Sequence, residues 1–557
     1  MCYGGVTKLT HSGYPTARTD ASSRRPPEGN WAFGLSSMPF ASVLSAREAC
    51  RQYSFGDAVL AGWADDGGML WPTNVPRLER AQISSWASLT YTQLCAAVLK
   101  QFIPVDDADV THAELDELVS GAFTAFGSSE VVEVRNLPSS GAPLHVAELW
   151  HGPTLAFKDL GMSVLGRILS HLLRKRRERL TLLVGTSGDT GSSAIEAVRG
   201  LPNIEIIVLF PLQGWSSITP VQIRQMTSVA EVEKNVHVVG VEGSSDDLDV
   251  PMEQCFRDRT FKAAHRLGSV NSVNVVRLLV QAVHYFYAYL RLEPGAQRHA
   301  QFAVPCGAAG HLAAGLLAVQ MGLPIRLIAA TNANDALHVV LSSGALASGR
   351  PTQSTLSPSM DIQMPYNLWR LLYVASGSDG AAVRSWQAGL AARGKLELPS
   401  AVLAWIARHV RTVAVDDAAT LAAMRDVHRR SSYFLDPHTA VGVAAAQRAP
   451  FGEHDDSESI VCMGCAHVVK FLPTLARAFD CSIDAAIGML ERECSSHKNL
   501  AAVEQMARQV QVAADGLSKV TPPGCTAVLR RGEDWEAKVR ALVTSVAGRA
   551  ASPNSRL

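Results

Sequence analysis

The stretch Thr181-Leu-Leu-Val-Gly-Thr-Ser-Gly-Asp-Thr-Gly191 and the residues that follow it decide the fold. Thr181 to Val184 is a short β-type run, and Gly185 to Gly191 is a loop of glycines and small polar residues. Ser192 to Arg199 reads as helix, with Gly200 placed to end it as a C′ glycine. Glu205-Ile-Ile-Val-Leu-Phe210 is the next strand. The same order recurs later. Phe302-Ala-Val-Pro305 is a strand, Cys306-Gly-Ala-Ala-Gly-His311 a loop, and Leu312 to Met321 a helix closed by Gly322 and Pro324. Ile325-Arg-Leu-Ile-Ala-Ala330 is the strand after it. Such alternation predicts an α/β fold with parallel sheets flanked by helices, because parallel strands need helical crossovers. Ligands bind such sheets at the carboxyl ends of their strands. Both loops fall there, each feeding a helix N-terminus whose unpaired N–H groups and dipole favour an anion. Two anion sites in one crevice are expected.

Working outward, His151-Gly-Pro-Thr-Leu-Ala-Phe-Lys158-Asp159 follows a loop and short strand over Pro143 to Leu149. Leu160, Val164, Leu165, Ile168, Leu169, Leu172 and Leu173 then recur at helical spacing, so Lys158 opens an amphipathic helix. At a helix N-terminus the macrodipole disfavours a further positive charge, and partial desolvation favours the free amine. A free amine is what attack on an aldehyde requires. Val270-Asn-Ser-Val-Asn274 leads into another helix, Val275 to Leu290.

The chain has 557 residues, of which 47% are hydrophobic and 18% charged, with Lys plus Arg equal to Asp plus Glu at 51 each. That length provides for several domains and an ample core. The zero charge balance argues against a nucleic-acid or anionic-membrane partner, and no apolar run is long enough to span a bilayer. The ten cysteines are scattered and form no disulfide framework. Cys462 and Cys465 make a lone Cys-x-x-Cys without a second pair, so no metal site is expected; they read as small buried residues of a strand and its following loop. Residues 1–40 read as a disordered or targeting extension, carrying Lys8, Arg18, Arg24 and Arg25 against few acids. Localisation is accordingly cytoplasmic, or an organelle if the extension is a transit peptide. Residues 41–135 form a helical N-terminal domain, 136–480 a catalytic α/β region of two subdomains, and 481–557 a helical tail broken at Pro522-Pro523-Gly524.

The His151–Asp159 string closely resembles the pyridoxal-phosphate lysine motif of the threonine synthase family. Asp66-Gly67-Gly68, Thr186-Ser-Gly-Asp-Thr190-Gly, Asn271-Ser-Val-Asn274 with Arg277, Ser357-Pro-Ser-Met360-Asp361-Ile and Asp436-Pro-His-Thr439-Ala-Val-Gly resemble further elements of that family. The resemblance runs from about Phe55 to Trp535, and Gly307-Ala-Ala-Gly310 with Met360-Asp-Ile-Gln-Met-Pro-Tyr-Asn367 points to its threonine synthase-like branch. It implies a fold-type II pyridoxal 5'-phosphate enzyme in which Lys158 holds the cofactor as a Schiff base. It implies that Gly307, Ala308, Ala309, Gly310 and His311 bind the cofactor phosphate. By the same likeness Thr186, Ser187, Asp189, Thr190, Asn274 and Arg277 face the substrate. Two departures stand out. Cys465 stands where the family's late Thr-Ala-His segment has threonine, beside the pyridine nitrogen, and a thiol is the weaker hydrogen-bonding group. Phe210-Pro-Leu-Gln-Gly-Trp-Ser-Ser-Ile-Thr-Pro-Val-Gln222 is longer than its family counterpart by two residues and lacks its arginine.

The resemblance implies a monomer or homodimer acting on a small phosphorylated amino acid. One outcome is a phospho-lyase that eliminates phosphate from O-phosphohomoserine or a related substrate and yields 2-oxobutyrate. Another is a true threonine synthase, and a third is a non-catalytic sensor of cofactor or metabolite.

Overall fold

The computed structural model describes residues 39–45, 51–128, 130–138, 143–294, 297, 300–448, 459–493, 505 and 522–550. The extension over 1–38 and most of the tail over 494–521 lie outside the described residues.

Two sheets carry the fold. A six-stranded sheet runs Val410–Ala414, Arg326–Thr331, Gln301–Pro305, Ile460–Gly464, Leu144–Glu148, Glu133–Leu137; all pairs are parallel except the last. A five-stranded, fully parallel sheet runs Ala527–Leu529, Val236–Val241, Ile204–Pro211, Leu180–Gly185, Leu267–Gly268. Their central strands are apolar and buried throughout, as parallel strands covered on both faces must be. The two strand–loop–helix–strand units therefore belong to different sheets. Their helices also start earlier than the pattern predicts, at Asp189 and Gly310 rather than Ser192 and Leu312. Loop residues thereby become first-turn residues, with N–H groups that the helix itself does not use.

Helix Val275–Leu290 has the predicted bounds, and all of its residues are buried. A helix apolar on every side belongs in a core. It packs against Lys158–Arg176, Gly310–Gln320 and the N-terminal helix Tyr91–Leu99. The N-terminal segment is helical at Phe55–Ala61, Arg80–Ser85, Tyr91–Leu99 and His112–Ala122, with Phe40–Ser42 paired antiparallel to Leu70–Pro72. Polar links tie it to the catalytic helices: Arg176 binds Asp57 and Asp109, and Asn274 donates to the Val59 carbonyl. The tail differs from the helical reading. Ala527–Leu529 adds an edge strand to the five-stranded sheet before helix Trp535–Ala550. No helix among the described residues is long and apolar enough to cross a membrane.

Candidate active site

Lys158 is the first residue of helix Lys158–Arg176 and is buried at 9% exposure. Backbone bonds fasten the segment before it to the segment after strand Ile460–Gly464. Phe157 N–H donates to the Cys465 carbonyl at 2.8 Å, and His467 N–H to the Leu155 carbonyl at 3.0 Å. This places Lys158, Cys465 and Lys470 together.

Asp189 organises the charges. Its Oδ1 lies 2.7 Å from Lys470 Nζ and accepts from Gln222 Nε2 at 2.9 Å. Its Oδ2 accepts from Ser359 Oγ at 2.8 Å and lies 3.5 Å from Lys158 Nζ. Burial works to raise the Asp189 pKa, but the charges of Lys470 and Lys158 overcome it and hold the carboxyl well below its usual range. Burial lowers the Lys158 pKa even against the pull of Asp189. Both shifts of this pair point down, that of Lys158 because burial outweighs Asp189 and that of Asp189 because the two lysines outweigh burial. Lys470 is nearer, fully buried, and also donates to the Thr154 carbonyl at 2.8 Å, so Asp189 is already neutralised. Lys470 is the nearer partner of Asp189, and Lys158 is the amine that burial helps to shed its proton.

The cleft beside Lys158 encloses about 950 Å³ of empty space, open mouth included. Lys158, Thr186, Ser187, Asp189, Thr190, Arg277, Gly307, Ala308, Ala309, Gly310, His311 and Cys465 all line it. On one wall, the N–H groups of Ser187, Asp189 and Thr190 donate to no protein acceptor among the described residues. The Gly188 N–H is spent instead on Thr186 Oγ1, at 2.9 Å, which shapes the loop. Gly188 has φ +133, and a Cβ there would stand 2.5 Å from Gln222 Nε2, so glycine is required. On the other wall, the N–H groups of Gly307, Ala308, Ala309 and Gly310 likewise have no protein acceptor among the described residues. Asn367 holds that loop by donating to the Ala308 carbonyl at 2.9 Å, and Arg370 holds Asn367. Ala309 has φ +61, a left-handed strain that glycine would avoid. Two cradles of bare N–H groups flanking a desolvated amine fit pyridoxal phosphate and a second anion.

Arg277 is 2% exposed, and its Nε has no hydrogen-bond partner among the described residues. Its Nη1 donates to the Val270 carbonyl at 2.9 Å, and burial lowers its pKa to about 10. It is the cation best placed for an anionic ligand. Asn274 is a correction. Its amide caps Val276 and donates to the Val59 and Ser269 carbonyls, and it does not border the cleft. Lys470, Gln222 and Ser359 were not read from the sequence. Gln222 gave one signal, since it completes a capping box with Thr219 at a helix start.

Residues 123–466 match the family described as "Pyridoxal-phosphate dependent enzyme". Residues 42–123 match "Threonine synthase N terminus", and 439–521 match "Threonine synthase, C-terminal". The chain belongs to the threonine synthase family. Pyridoxal phosphate is its cofactor, and its fold is that of a fold-type II pyridoxal-phosphate enzyme. Among relatives, "Threonine synthase-like 2" of Homo sapiens is 40% identical over 409 residues, 72% of this chain and 81% of that protein. "Threonine synthase" of Pseudomonas aeruginosa is 38% identical over 437 residues, 78% of this chain and 90% of that protein. A solved structure of pyridoxal-phosphate-bound threonine synthase from Brucella melitensis aligns with TM-score 0.76 and 34% identity, covering 92% of this chain and 100% of that one. The likeness to the threonine synthase-like branch seen in the motifs agrees with these relatives.

Proposed function

We propose that this enzyme is a carbon–oxygen lyase that eliminates phosphate from O-phosphohomoserine or a related phosphorylated amino acid, releasing 2-oxobutyrate. The observation that carries the reading is the pairing at Asp189, where Lys470 takes the countercharge and leaves Lys158 as a desolvated amine at the cleft. Pyridoxal phosphate, when bound, supplies an electron sink for charge developing at the substrate Cα. The loop Gly307–Gly310 holds its phosphate through backbone N–H groups, with Asn367 and Arg370 bracing the loop. Lys158 receives the Cα proton and then one from Cβ, whose electron pair lets phosphate leave from Cγ, and it returns a proton to Cγ, its amine kept basic enough by Asp189 and deprotonated by burial. Arg277 and the N–H groups of Ser187, Asp189 and Thr190 receive the substrate's anionic groups. Asp249, on the same cleft, has its pKa raised to about 7 by burial and by Asp246. Near neutrality it carries a proton for the departing phosphate oxygen.

Lyase and synthase outcomes share these steps and divide when water either adds at Cβ or loses to release of an enamine, which hydrolyses to 2-oxobutyrate and ammonia. The longer loop Phe210–Gln222 supports release. Lys158 and Arg277 are the lysine and arginine on the cleft among the described residues, and the family's arginine has no counterpart there. Trp215 of that loop instead lies under Arg531, 5.0 Å from its guanidinium. A weaker hold on the bound chain favours departure, and about 1.4 kcal/mol in relative barriers shifts the product ratio tenfold. The test is a product assay with O-phosphohomoserine. Formation of 2-oxobutyrate, ammonia and phosphate supports the lyase, and threonine with phosphate supports the synthase. Turnover of neither, with cofactor bound, leaves the sensor.

A further inference from the structure

His311 does not face the cleft alone. His284, fully buried on helix Val275–Leu290, places its Nδ1 3.0 Å from His311 Nε2, with the rings edge to face at 86°. The His311 ring is also stacked on Phe157, with centroids 5.3 Å apart and planes 11° off parallel. The Tyr285 hydroxyl donates to the His311 carbonyl at 2.8 Å. Burial, and then the charge of Arg277, lowers the His311 pKa to about 3. Burial, then His311 and Arg277, holds His284 well below its usual range. Two neutral imidazoles at this distance share one hydrogen, so their tautomers are coupled: one nitrogen of the contact carries it and the other is bare. With Nε2 occupied by His284, only Nδ1 of His311 remains for a ligand. The far nitrogen of His284, Nε2, is buried and has no hydrogen-bond partner among the described residues.

We propose that His284 is a positioning residue that donates from Nδ1 to His311 Nε2, fixing His311 in the Nδ1–H form as a neutral donor to the cofactor phosphate held at the start of helix Gly310–Gln320. The opposite arrangement carries two costs. It would turn a lone pair of His311 toward an anion, and it would leave the His284 Nε2–H as a buried donor without an acceptor. A bare ring nitrogen is the cheaper group to bury, because orphaned buried N–H groups are the rarer kind. The inference rests on this cleft being the cofactor site.

Histidine-selective 15N labelling with NMR of wild-type apo- and holoprotein reads the tautomer directly. The expected result is His311 protonated at Nδ1 and bare at Nε2 in the holoprotein; protonation at Nε2 would overturn the inference. His284→Asn, whose amide can still donate toward His311, should bind pyridoxal phosphate within about threefold of wild type. His284→Leu, which cannot donate, should raise the Kd about tenfold and let His311 take the Nε2–H form. An unchanged Kd in folded His284→Leu would also overturn it, and if that variant does not fold the wild-type spectrum decides. Failure of the wild type to take up pyridoxal phosphate at all would overturn the reading of the cleft instead.

Discussion

Replacing Lys470 with methionine separates the two lysines at Asp189. The side chain is fully buried, and its Nζ sits 2.7 Å from Oδ1, against 3.5 Å for Lys158 on Oδ2. Removing one partner of a buried ion pair costs about 3–5 kcal/mol. Asp189 would keep Gln222 and Ser359 at 2.9 and 2.8 Å, so the lower end, about 3 kcal/mol, is expected in thermal or denaturant unfolding. The chemical effect is more specific. Losing Lys470 would remove a like charge that now helps lower the Lys158 pKa, leaving the Asp189 attraction, about 5 kcal/mol gross at 3.5 Å and an effective dielectric of 20, no longer offset by it. That attraction opposes the burial that now lowers the Lys158 pKa, so the amine would stay protonated to higher pH. Titrating cofactor attachment by visible absorbance should show the Lys470→Met transition displaced to higher pH. An unchanged transition in a folded variant would refute the division of labour between the lysines.

Other consequences are as direct. Lys158→Ala should abolish the covalent visible band and turnover while leaving the fold intact, checked by absorbance and circular dichroism. Asp361 is buried, and its pKa is raised to about 6, burial outweighing its bonds from Thr355 and Asn332. The folded state then holds this proton more tightly than the unfolded state, so stability falls as pH rises through the window from about 4 to 6, by up to about 3 kcal/mol for two units. Asp361→Asn should flatten that slope in urea unfolding followed across this window. Ala309→Gly should stabilise the protein by about 1 kcal/mol in denaturant unfolding, because it relieves the left-handed backbone at φ +61. Cys465→Thr should tighten cofactor binding about threefold to tenfold in equilibrium titration, a hydroxyl being the stronger hydrogen-bonding group.

What the sequence made legible was local. Lys158 at a helix start, the buried helix Val275–Leu290 and both Gly-rich loops each write their signal into a short window of spacing and turn residues. The charge arrangement at Asp189 was not legible, because Gln222, Ser359 and Lys470 reach it from three separate segments that only the two packed sheets bring together. Asn274 was assigned to the cleft from its motif, yet a motif does not say on which side of a helix start a side chain lies, and this one turns inward to cap and brace. The strand Ala527–Leu529 was hidden because three residues carry no period, and its pairing with Val239–Val241 supplies the order. The helix starts at Asp189 and Gly310 were missed because glycine-rich first turns look like loop.

The most direct measurement is borohydride reduction of the holoprotein followed by peptide mass spectrometry, which marks the lysine that carries the cofactor. The account predicts a single pyridoxyl adduct on Lys158. An adduct on Lys470, or none on either lysine in protein that retains the cofactor, would contradict it.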